Sequence, residues 1–235
     1  GVCHLVNGCL FEFGENCRIR RESEMIIRNE KTDDYRVVEE MIKKTFWNLS
    51  VPGCNEHYFA HLVRNSEDFI PELDFVLEED GKIIGHIIYV NAKLVAMDGT
   101  EKEILSFGPF TIHPDYQRKG YGRKLLEHSL EAARKLGFDT IAIWGNPENY
   151  ACYGFKNCKR YNVCIDEDVY PVALMVKVLD EDALDGKMWK YVESPAHEMD
   201  ESGFDEFDSS FEQMEEGYKY TQELFYIYSR SNVLR

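Results

Sequence analysis

One stretch of the sequence, residues 105–137, combines a strand, a glycine-containing loop and a helix. Residues 105–112 are apolar and rich in β-forming residues, and Pro114 ends that strand. Between strand and helix, Gly120 and Gly122 allow a sharp turn that exposes successive backbone N–H groups at the helix N-terminus. Such a terminus favours an anion, so the stretch predicts a phosphate-binding site. The helix itself is predicted from apolar residues that recur on one face and from the glycine that ends it: Leu125, Leu126, Leu130, Ala133, Leu136 and Gly137.

The spacing of the glycines separates this loop from two common phosphate-binding motifs. A P-loop requires G-x-x-x-x-G-K-[ST], and a dinucleotide-binding fingerprint requires G-x-G-x-x-G. Here no third glycine follows the pair. The remaining pattern, Q-x-x-G-x-G after a strand that ends in Ile-His-Pro, resembles the acetyl-CoA loop of the GNAT N-acetyltransferase superfamily, with Gln117, Gly120 and Gly122 at the three defining positions. The alternative is an ordinary glycine-rich turn between a strand and a helix.

A second stretch carries the same resemblance. Residues 140–144 form a short apolar segment, and Gly145-Asn-Pro-Glu-Asn-Tyr-Ala-Cys-Tyr-Gly-Phe155 follows it. This is similar to the GNAT segment in which a strand diverges and a short helix carries a tyrosine before a Gly-Phe pair. It is closest to a bacterial subgroup that reads G-D-P-x-Y-Y-x-x-[FY]-G-F, with Asn146 in place of the Asp and Asn149 in place of the first Tyr. The resemblance implies that Tyr150 is the general acid.

The resemblance also implies a fold, a cofactor and a reaction. The expected fold is α/β (α+β), a mixed, mostly antiparallel sheet with helices on both faces. The expected cofactor is acetyl-CoA, and the expected reaction is direct attack of an amine on its thioester in a ternary complex, without a metal. Backbone N–H groups of residues 119–122 would hold the pyrophosphate, and backbone groups of residues 110–112 would hold the pantetheine. The residues implied to bind the cofactor are Phe110, Thr111, Ile112, Gln117, Arg118, Lys119, Gly120, Tyr121, Gly122 and Asn146.

The general base is left open by the sequence. Many relatives keep a carboxylate on the strand before the loop, where Glu101 and Glu103 stand near the start and Ser106 lies closer to the centre. His113 has a suitable unperturbed pKa, but beside a proline it is better explained as a turn residue. Cys152 has no evident histidine partner for nucleophilic catalysis. A non-catalytic acyl-CoA sensor with the same fold is therefore the alternative function, and the loop does not distinguish acetyl from longer acyl chains.

Charge limits the choice of partner. The 235-residue chain has a formal net charge of −16, which argues against nucleic acid and favours a cationic substrate. The acceptor is therefore expected to be a small-molecule amine or an exposed protein amine. Four cations around the loop, Arg118, Lys119, Arg123 and Lys124, would nevertheless suit a polyanionic cofactor.

Apolar runs and cysteines indicate the compartment. No apolar run approaches the ~20 residues of a membrane span, and the first residues do not resemble a signal peptide. Seven cysteines without a C-x-x-C pair favour free thiols in a reducing compartment. A zinc site among Cys3, Cys9 and Cys17 would need a fourth ligand such as His4. We therefore predict a cytoplasmic monomer or homodimer that makes no membrane contact.

The chain divides into three parts. Residues 1–24 form an N-terminal extension of unknown role, residues 25–180 form the GNAT-like domain, and residues 181–235 form an acidic extension that packs on the domain or on a partner. The resemblance implies a first strand over 25–28. The sequence pattern predicts helices over 34–46 and 55–65, strands over 73–77, 82–95, 159–165 and 172–179, and a helix or strand over 218–228. In the resembling family the first two helices usually form one wall of the acceptor site, which makes Trp47, Tyr58 and Phe59 candidates for contact with the acceptor. Core packing is the more common role of such residues.

Overall fold

The computed structural model describes residues 24–198 and 200–234, together with two short strands, β1 (Leu5–Val6) and β2 (Cys9–Leu10), that pair antiparallel. The rest of the predicted N-terminal extension, with the possible zinc ligands Cys3, His4 and Cys17, lies outside the described residues.

A mixed β-sheet forms the centre of the protein. Its main strands lie in the order β3-β4-β5-β6-β7-β10-β8, and all neighbours along this path are antiparallel except β6 and β7. The short strand β11 pairs antiparallel with the far end of β5 and parallel with β9. The strands are β3 (Met25–Asn29), β4 (Phe75–Glu79), β5 (Lys82–Ala96), β6 (Glu101–Ile112), β7 (Thr140–Trp144), β8 (Lys156–Asn157), β9 (Val163–Cys164), β10 (Leu174–Val178) and β11 (Trp189–Val192).

Helices cover both faces of the sheet, which confirms the predicted architecture. They are α1 (Tyr35–Phe46), α2 (Glu56–Val63), α3 (Tyr121–Lys135), α4 (Pro147–Tyr150), α5 (Phe204–Ser209) and α6 (Tyr220–Arg230). The apolar face of α3 packs on Ile87, Tyr89 and Leu105 in the largest core cluster. On the opposite face, α1 and α2 pack on alternate residues of the same strands, such as Val76 and Ile88. The alternation follows from the two-residue period of a strand.

Two predicted strands are wrong in part. Residues 159–165 do not form one strand: a 3₁₀ helix, Cys158–Tyr161, is followed by Asn162 with φ 54°, and only Val163–Cys164 pair as β9. Left-handed backbone at Asn162 interrupts the extended conformation that the β-rich composition favoured. Similarly, Leu73 belongs to a 3₁₀ turn that begins at Pro71, and β4 starts only at Phe75. The other predicted elements of the domain agree with the structure apart from their end residues.

The acidic C-terminal segment contacts α1 and α2 through buried polar groups. Asp208 Oδ1 accepts hydrogen bonds from Lys43 Nζ at 2.5 Å and from the His57 ring at 2.8 Å. Lys43 and His57 are almost completely buried, so the carboxylate compensates groups that would otherwise be buried without a partner. Phe207 and Phe211 pack against the His57 ring with centroid distances of 5.6 and 5.3 Å.

Candidate active site

The site begins where β6 and β7 diverge. The two parallel strands pair at Leu105 and Ile141, and β6 continues to Ile112 along β5 alone. A register shift between Ile87 and Tyr89 in β5 marks a bulge in this region. Pro109 has no N–H to donate to a neighbouring strand, which is consistent with a free edge here. The divergence leaves an open space between the end of β6 and the residues after β7, in agreement with the sequence-based expectation.

The glycine loop closes one end of this space. Gly120 has φ 88° and caps the N-terminus of the 15-residue helix α3, a conformation that favours glycine. Within the described residues no acceptor is found for the backbone N–H groups of Arg118, Lys119 and Gly120, and the first N–H groups of α3 have no partner inside the helix. The Gln117 side chain donates to Ile112 O at 2.9 Å and so holds the loop against the strand end. These unpaired donors and the helix dipole suit a phosphate.

The loop, the strand ends and the C-terminal helix enclose a space of about 590 Å³, which we call the cleft. Its size suits an organic ligand. Its lining comes from four parts of the fold: the end of α1 (Thr45, Phe46, Leu49, Ser50), β6 and the loop (Phe110, Ile112, Gln117, Arg118, Gly120, Gly122, Arg123), the α4 region (Asn146, Glu148, Asn149, Tyr150, Tyr153) and α6 (Tyr220, Thr221, Leu224, Phe225, Tyr228).

Tyr150 lies in the cleft at the point where the strands diverge. Its ring packs against Phe107 and Phe155, both with centroid distances of 5.8 Å. Burial, and secondarily the neighbouring hydroxyl of Tyr228, raise the pKa of Tyr150 well above its usual range. The hydroxyl therefore stays protonated at neutral pH. Among the described residues it has no hydrogen-bond partner, so it is free to donate to a group bound in the cleft.

Tyr153 also lines the cleft but faces the loop. Arg123 lies over its ring at 5.3 Å, and the Tyr153 hydroxyl would be 3.9 Å from a Cβ placed on Gly122. It therefore lies beside the predicted phosphate position, whereas Tyr150 lies beside the strand divergence. This placement favours Tyr150 over Tyr153 as the donor to a leaving group.

The other predicted cofactor residues fall into two groups. Phe110, Ile112, Gln117, Arg118, Gly120, Gly122 and Asn146 line the cleft, and the Asn146 side chain also caps α4 by accepting from Glu148 N at 3.0 Å. The side chains of three residues do not line it. Thr111 is buried, Lys119 Nζ donates to Asp115 O at 2.8 Å, and the Tyr121 hydroxyl donates to Glu79. Only the backbone groups of these three residues are available for the predicted role.

The candidate bases are placed away from the cleft. Glu101 forms an exposed ion pair with Lys93, and Ser106 is buried on the α1 and α2 face of the sheet. His113 caps a turn by accepting from Asp115 N at 3.3 Å, as its position beside Pro114 suggested. Among the described residues that line the cleft, Glu148 is the only carboxylate, and it is exposed.

The three aromatic candidates for acceptor contact pack within the protein, which is the more common role of such residues. Trp47 donates from its indole N–H to Glu215 O at 2.9 Å, Tyr58 packs against Phe207, and Phe59 stacks on His197. None of the three lines the cleft; all pack on the C-terminal segment instead. The residues missed from the sequence are the end of α1 and one face of α6. For α6, the sequence left helix and strand open, and nothing local indicated where the segment packs.

Two buried clusters resemble catalytic or metal sites. Cys54, His57 and Asp208 follow one another at 3.7 and 2.8 Å, but burial raises the pKa of the Cys54 thiol to about 12, so it is not an activated nucleophile. Glu30, Asp74 and His86 place possible ligand atoms within 4.8 Å of one another. Arg64 already pairs with Glu30 there at 2.8 Å. We therefore assign catalysis and metal binding to neither cluster.

Comparison with known proteins agrees with this geometry. The family model described as acetyltransferase (GNAT) family matches residues 40–155, which include α2, the glycine loop and Tyr150. A curated relative, the uncharacterized N-acetyltransferase YjhQ of Escherichia coli K12, is 32% identical over 89 residues, 37% of this chain and 48% of that protein. The match thus spans about half the length of that relative.

Two solved structures share the fold. The GNAT family N-acetyltransferase YhbS of Escherichia coli, solved with CoA, superposes with a TM-score of 0.65 at 18% identity, covering 76% of this chain and 94% of that one. A GNAT family acetyltransferase of Brucella melitensis, solved with acetyl-CoA, gives a TM-score of 0.57 at 22% identity, covering 74% and 98%. At these identities the likeness establishes the fold. In the described part of this chain, no helix is long and apolar enough to cross a membrane.

Proposed function

Because residues 40–155 match the model of the GNAT acetyltransferase family, we propose that they form a domain of this family, that the cleft binds acetyl-CoA and that the protein transfers the acetyl group to an amine. The observation that carries the proposal is the left-handed Gly120 at the start of α3, with unpaired N–H groups facing a cleft that continues along the free edge of β6. The pyrophosphate would bind the loop, and the pantetheine would lie along Phe110–Ile112. The ligands of the two structural neighbours, CoA and acetyl-CoA, support the same assignment.

The reaction follows from this placement. The amine nitrogen forms a bond to the thioester carbonyl carbon, the carbon–sulfur bond breaks, and the electron pair leaves on sulfur. The Tyr150 hydroxyl donates a proton to the thiolate, the acetylated nitrogen loses a proton to solvent or to a base, and the tyrosinate regains a proton from solvent. The pKa of Tyr150 lies above its usual range, so the tyrosine is protonated at the start of each cycle.

The test is a comparison of two matched glycine variants. Gly120 and Gly99 have φ 88° and 82°, and a Cβ placed on either meets nothing within 4 Å. Replacing glycine with valine therefore strains both turns to a similar extent, but only Gly120→Val places a side chain at the predicted phosphate site. We expect Gly120→Val to weaken acetyl-CoA binding at least tenfold in calorimetric titration and Gly99→Val to leave it unchanged. Equal affinities of the two folded variants would contradict the proposal.

One observation favours a second function, a sensor that binds acyl-CoA without turnover. The lining carboxylate Glu148 is exposed, and none of the predicted bases reaches the cleft. Thiol release from acetyl-CoA in the presence of a panel of amines distinguishes the two functions. An enzyme releases CoA in proportion to an acceptor, whereas a sensor binds acetyl-CoA and releases none.

A further inference from the structure

The helix α6 forms one wall of the cleft. Residues 220, 221, 224, 225 and 228 line the cleft, and they share one face of the 11-residue helix because their spacing follows its 3.6-residue turn. The opposite side of α6 carries Tyr226 and Ile227, which are exposed. This wall comes from residues 220–228, beyond the region that the family model matches.

The start of α6 is fixed to the end of α1. Gln222 is buried, and its side-chain amide donates to Asn48 O at 3.1 Å and to Gly217 O at 2.9 Å. Lys219 Nζ donates to Trp47 O at 3.0 Å, and Asn48 Oδ1 accepts from Gly217 N at 3.0 Å. The residues that precede α6 therefore pack on the same loop that supplies Leu49 and Ser50 to the cleft.

The far end of α6 is fixed to the segment before β10. Val172 N donates to Ser231 O, and Val233 N donates to Tyr170 O, both at 2.8 Å. The helix thus spans the cleft between two points of attachment. Because moving it would break hydrogen bonds at one end or the other, α6 is a fixed wall at the edge of the reaction site.

The chemistry of this wall differs from that of the loop. At the loop, Arg118 and Arg123 face the predicted phosphates. Around α6 the lining is uncharged and mostly aliphatic or aromatic, with Leu224 and Phe225 on the helix and Phe46 and Leu49 at the end of α1; the polar residues there are Thr45, Ser50 and Thr221. Burial raises the pKa of Tyr228, so this hydroxyl is neutral and adds no charge. An acceptor that binds here gains affinity if it buries an apolar or aromatic group against these side chains.

We propose that α6 determines acceptor specificity: the acceptor is a small amine with an apolar or aromatic body, held by Leu224 and Phe225, and the amines of folded proteins are excluded. A helix with its side chains is about 10 Å across, so α6 covers one side of the cleft and keeps a protein surface from approaching the cleft on that side. This inference rests on the proposed acetyl-CoA site and adds the substrate class.

Binding of bisubstrate conjugates tests the inference without knowledge of the natural acceptor. The probes are CoA itself, CoA joined through its sulfur and an acetyl bridge to phenethylamine, and CoA joined in the same way to the lysine of a folded small protein. Calorimetric titration of the full chain gives the affinity of each. We expect the phenethylamine conjugate to bind at least tenfold more tightly than CoA and the protein conjugate to bind no more tightly than CoA.

Variants of α6 locate the effect. Leu224→Ala and Phe225→Ala should each remove most of the gain for the phenethylamine conjugate, where the gain is the ratio of its affinity to the affinity of CoA for the same variant. Ile227→Ala, on the exposed side of the same helix, is the control and should keep the gain. Leu224 is 44% exposed, so its truncation leaves a folded protein if the Phe225 variant does not fold.

Each outcome has a distinct meaning. If CoA does not bind, the proposed function fails and the inference fails with it. If CoA binds but the protein conjugate binds as tightly as the phenethylamine conjugate, or the gain survives both α6 variants, the inference alone is overturned. A gain that is lost in both variants and kept in Ile227→Ala supports it.

Discussion

At the scale of single residues, Tyr150 is the group on which the proposed chemistry depends. Tyr150→Phe keeps the ring contacts with Phe107 and Phe155 and removes only the hydroxyl. We expect acetyl-CoA affinity to persist and kcat to fall by about 10²-fold, as when a positioned proton donor is lost. Tyr153→Phe is the matched control, because Tyr153 lies beside Arg123. If Tyr150→Phe turns over normally and Tyr153→Phe loses most of its kcat, Tyr153 and not Tyr150 is the proton donor.

Gly145 provides an independent test of the position of the Tyr150 ring. A Cβ at residue 145 would lie 2.5 Å from Tyr150 Cε2, so Gly145→Ala forces the ring to move. We expect kcat to fall about as far as in Tyr150→Phe, by roughly 10²-fold, while acetyl-CoA still binds. The measurement is steady-state kinetics combined with calorimetric titration. Unchanged kcat would mean that the ring position is not critical.

The sequence was informative about residues whose role depends on local backbone. Gly120 needs a left-handed conformation, and the spacing of Gly120 and Gly122 was enough to place them at the start of a helix. It was less informative about Trp47, Tyr58 and Phe59, because the direction in which an aromatic ring packs depends on segments distant in the chain. All three contact residues beyond 196, and no local pattern encodes that.

At the scale of elements, the half-buried carboxylate of Asp208 links α5 to α1 and α2. Asp208→Ala would leave the buried Lys43 ammonium without its carboxylate, a change that typically costs about 3–5 kcal/mol. We expect a loss of that order in the free energy of unfolding, measured by denaturant titration. Glu212→Ala is the control, since Glu212 pairs with the exposed Lys44 at 3.9 Å and should change stability by less than about 0.5 kcal/mol. Equal effects of the two substitutions would contradict this account.

The buried cluster beneath β3 and β5 should make stability depend on pH. Burial raises the pKa of Glu30 to about 7 from 4.5, so the folded state favours the protonated carboxyl. The stabilisation that Glu30 adds to the free energy of unfolding is complete below pH 4.5 and is lost as pH rises through 7. His86 acts in the opposite direction, because burial lowers its pKa to about 4 from 6.5 and its charging costs stability as pH falls below 6.5.

Glu30→Gln separates the two contributions. In the wild type, stability should fall between pH 6.5 and 7.5, above the range in which His86 titrates. The variant should lose most of that dependence, whatever its absolute stability, because Gln does not titrate. Chemical denaturation at several pH values measures the slope. An unchanged slope in the variant would assign the dependence to another group.

The elements themselves were largely predictable, whereas their long-range packing was not. The 3.6-residue period predicted α1, α2 and α3 to within a few residues, because each helix has one buried face. Runs of apolar, β-forming residues predicted β5 and β6, because both faces of the sheet are covered. The segment 218–228 was left open between helix and strand. Its apolar residues lie on two sides of α6, one facing the cleft and one exposed, so a single buried face is not visible in the pattern.

At the scale of the whole molecule, the two terminal extensions are expected to differ in importance. The core sheet begins at β3, and Glu24 is tied to the β4–β5 turn by its backbone N–H, which donates to Asp80 Oδ1 at 3.0 Å. The C-terminal segment instead supplies buried groups to α1 and α2 and a wall to the cleft. We therefore expect the N-terminal extension to be dispensable for chemistry. The C-terminal extension, in contrast, is expected to form part of the site.

Two truncated proteins test that division. Deleting residues 1–23 keeps Glu24 and should leave acetyl-CoA affinity and turnover within about twofold, because the lining that the structure describes for the cleft comes from residues 45–228. Deleting residues 220–235 removes α6 while retaining the docked Asp208, so we expect a folded protein that binds acetyl-CoA and loses its preference among acceptors. Calorimetry and kinetics with a panel of amines measure both effects. If the protein that lacks residues 1–23 folds but does not bind acetyl-CoA, those residues belong to the cofactor site. If the protein that lacks residues 220–235 keeps its acceptor preference, α6 does not contribute to the acceptor site.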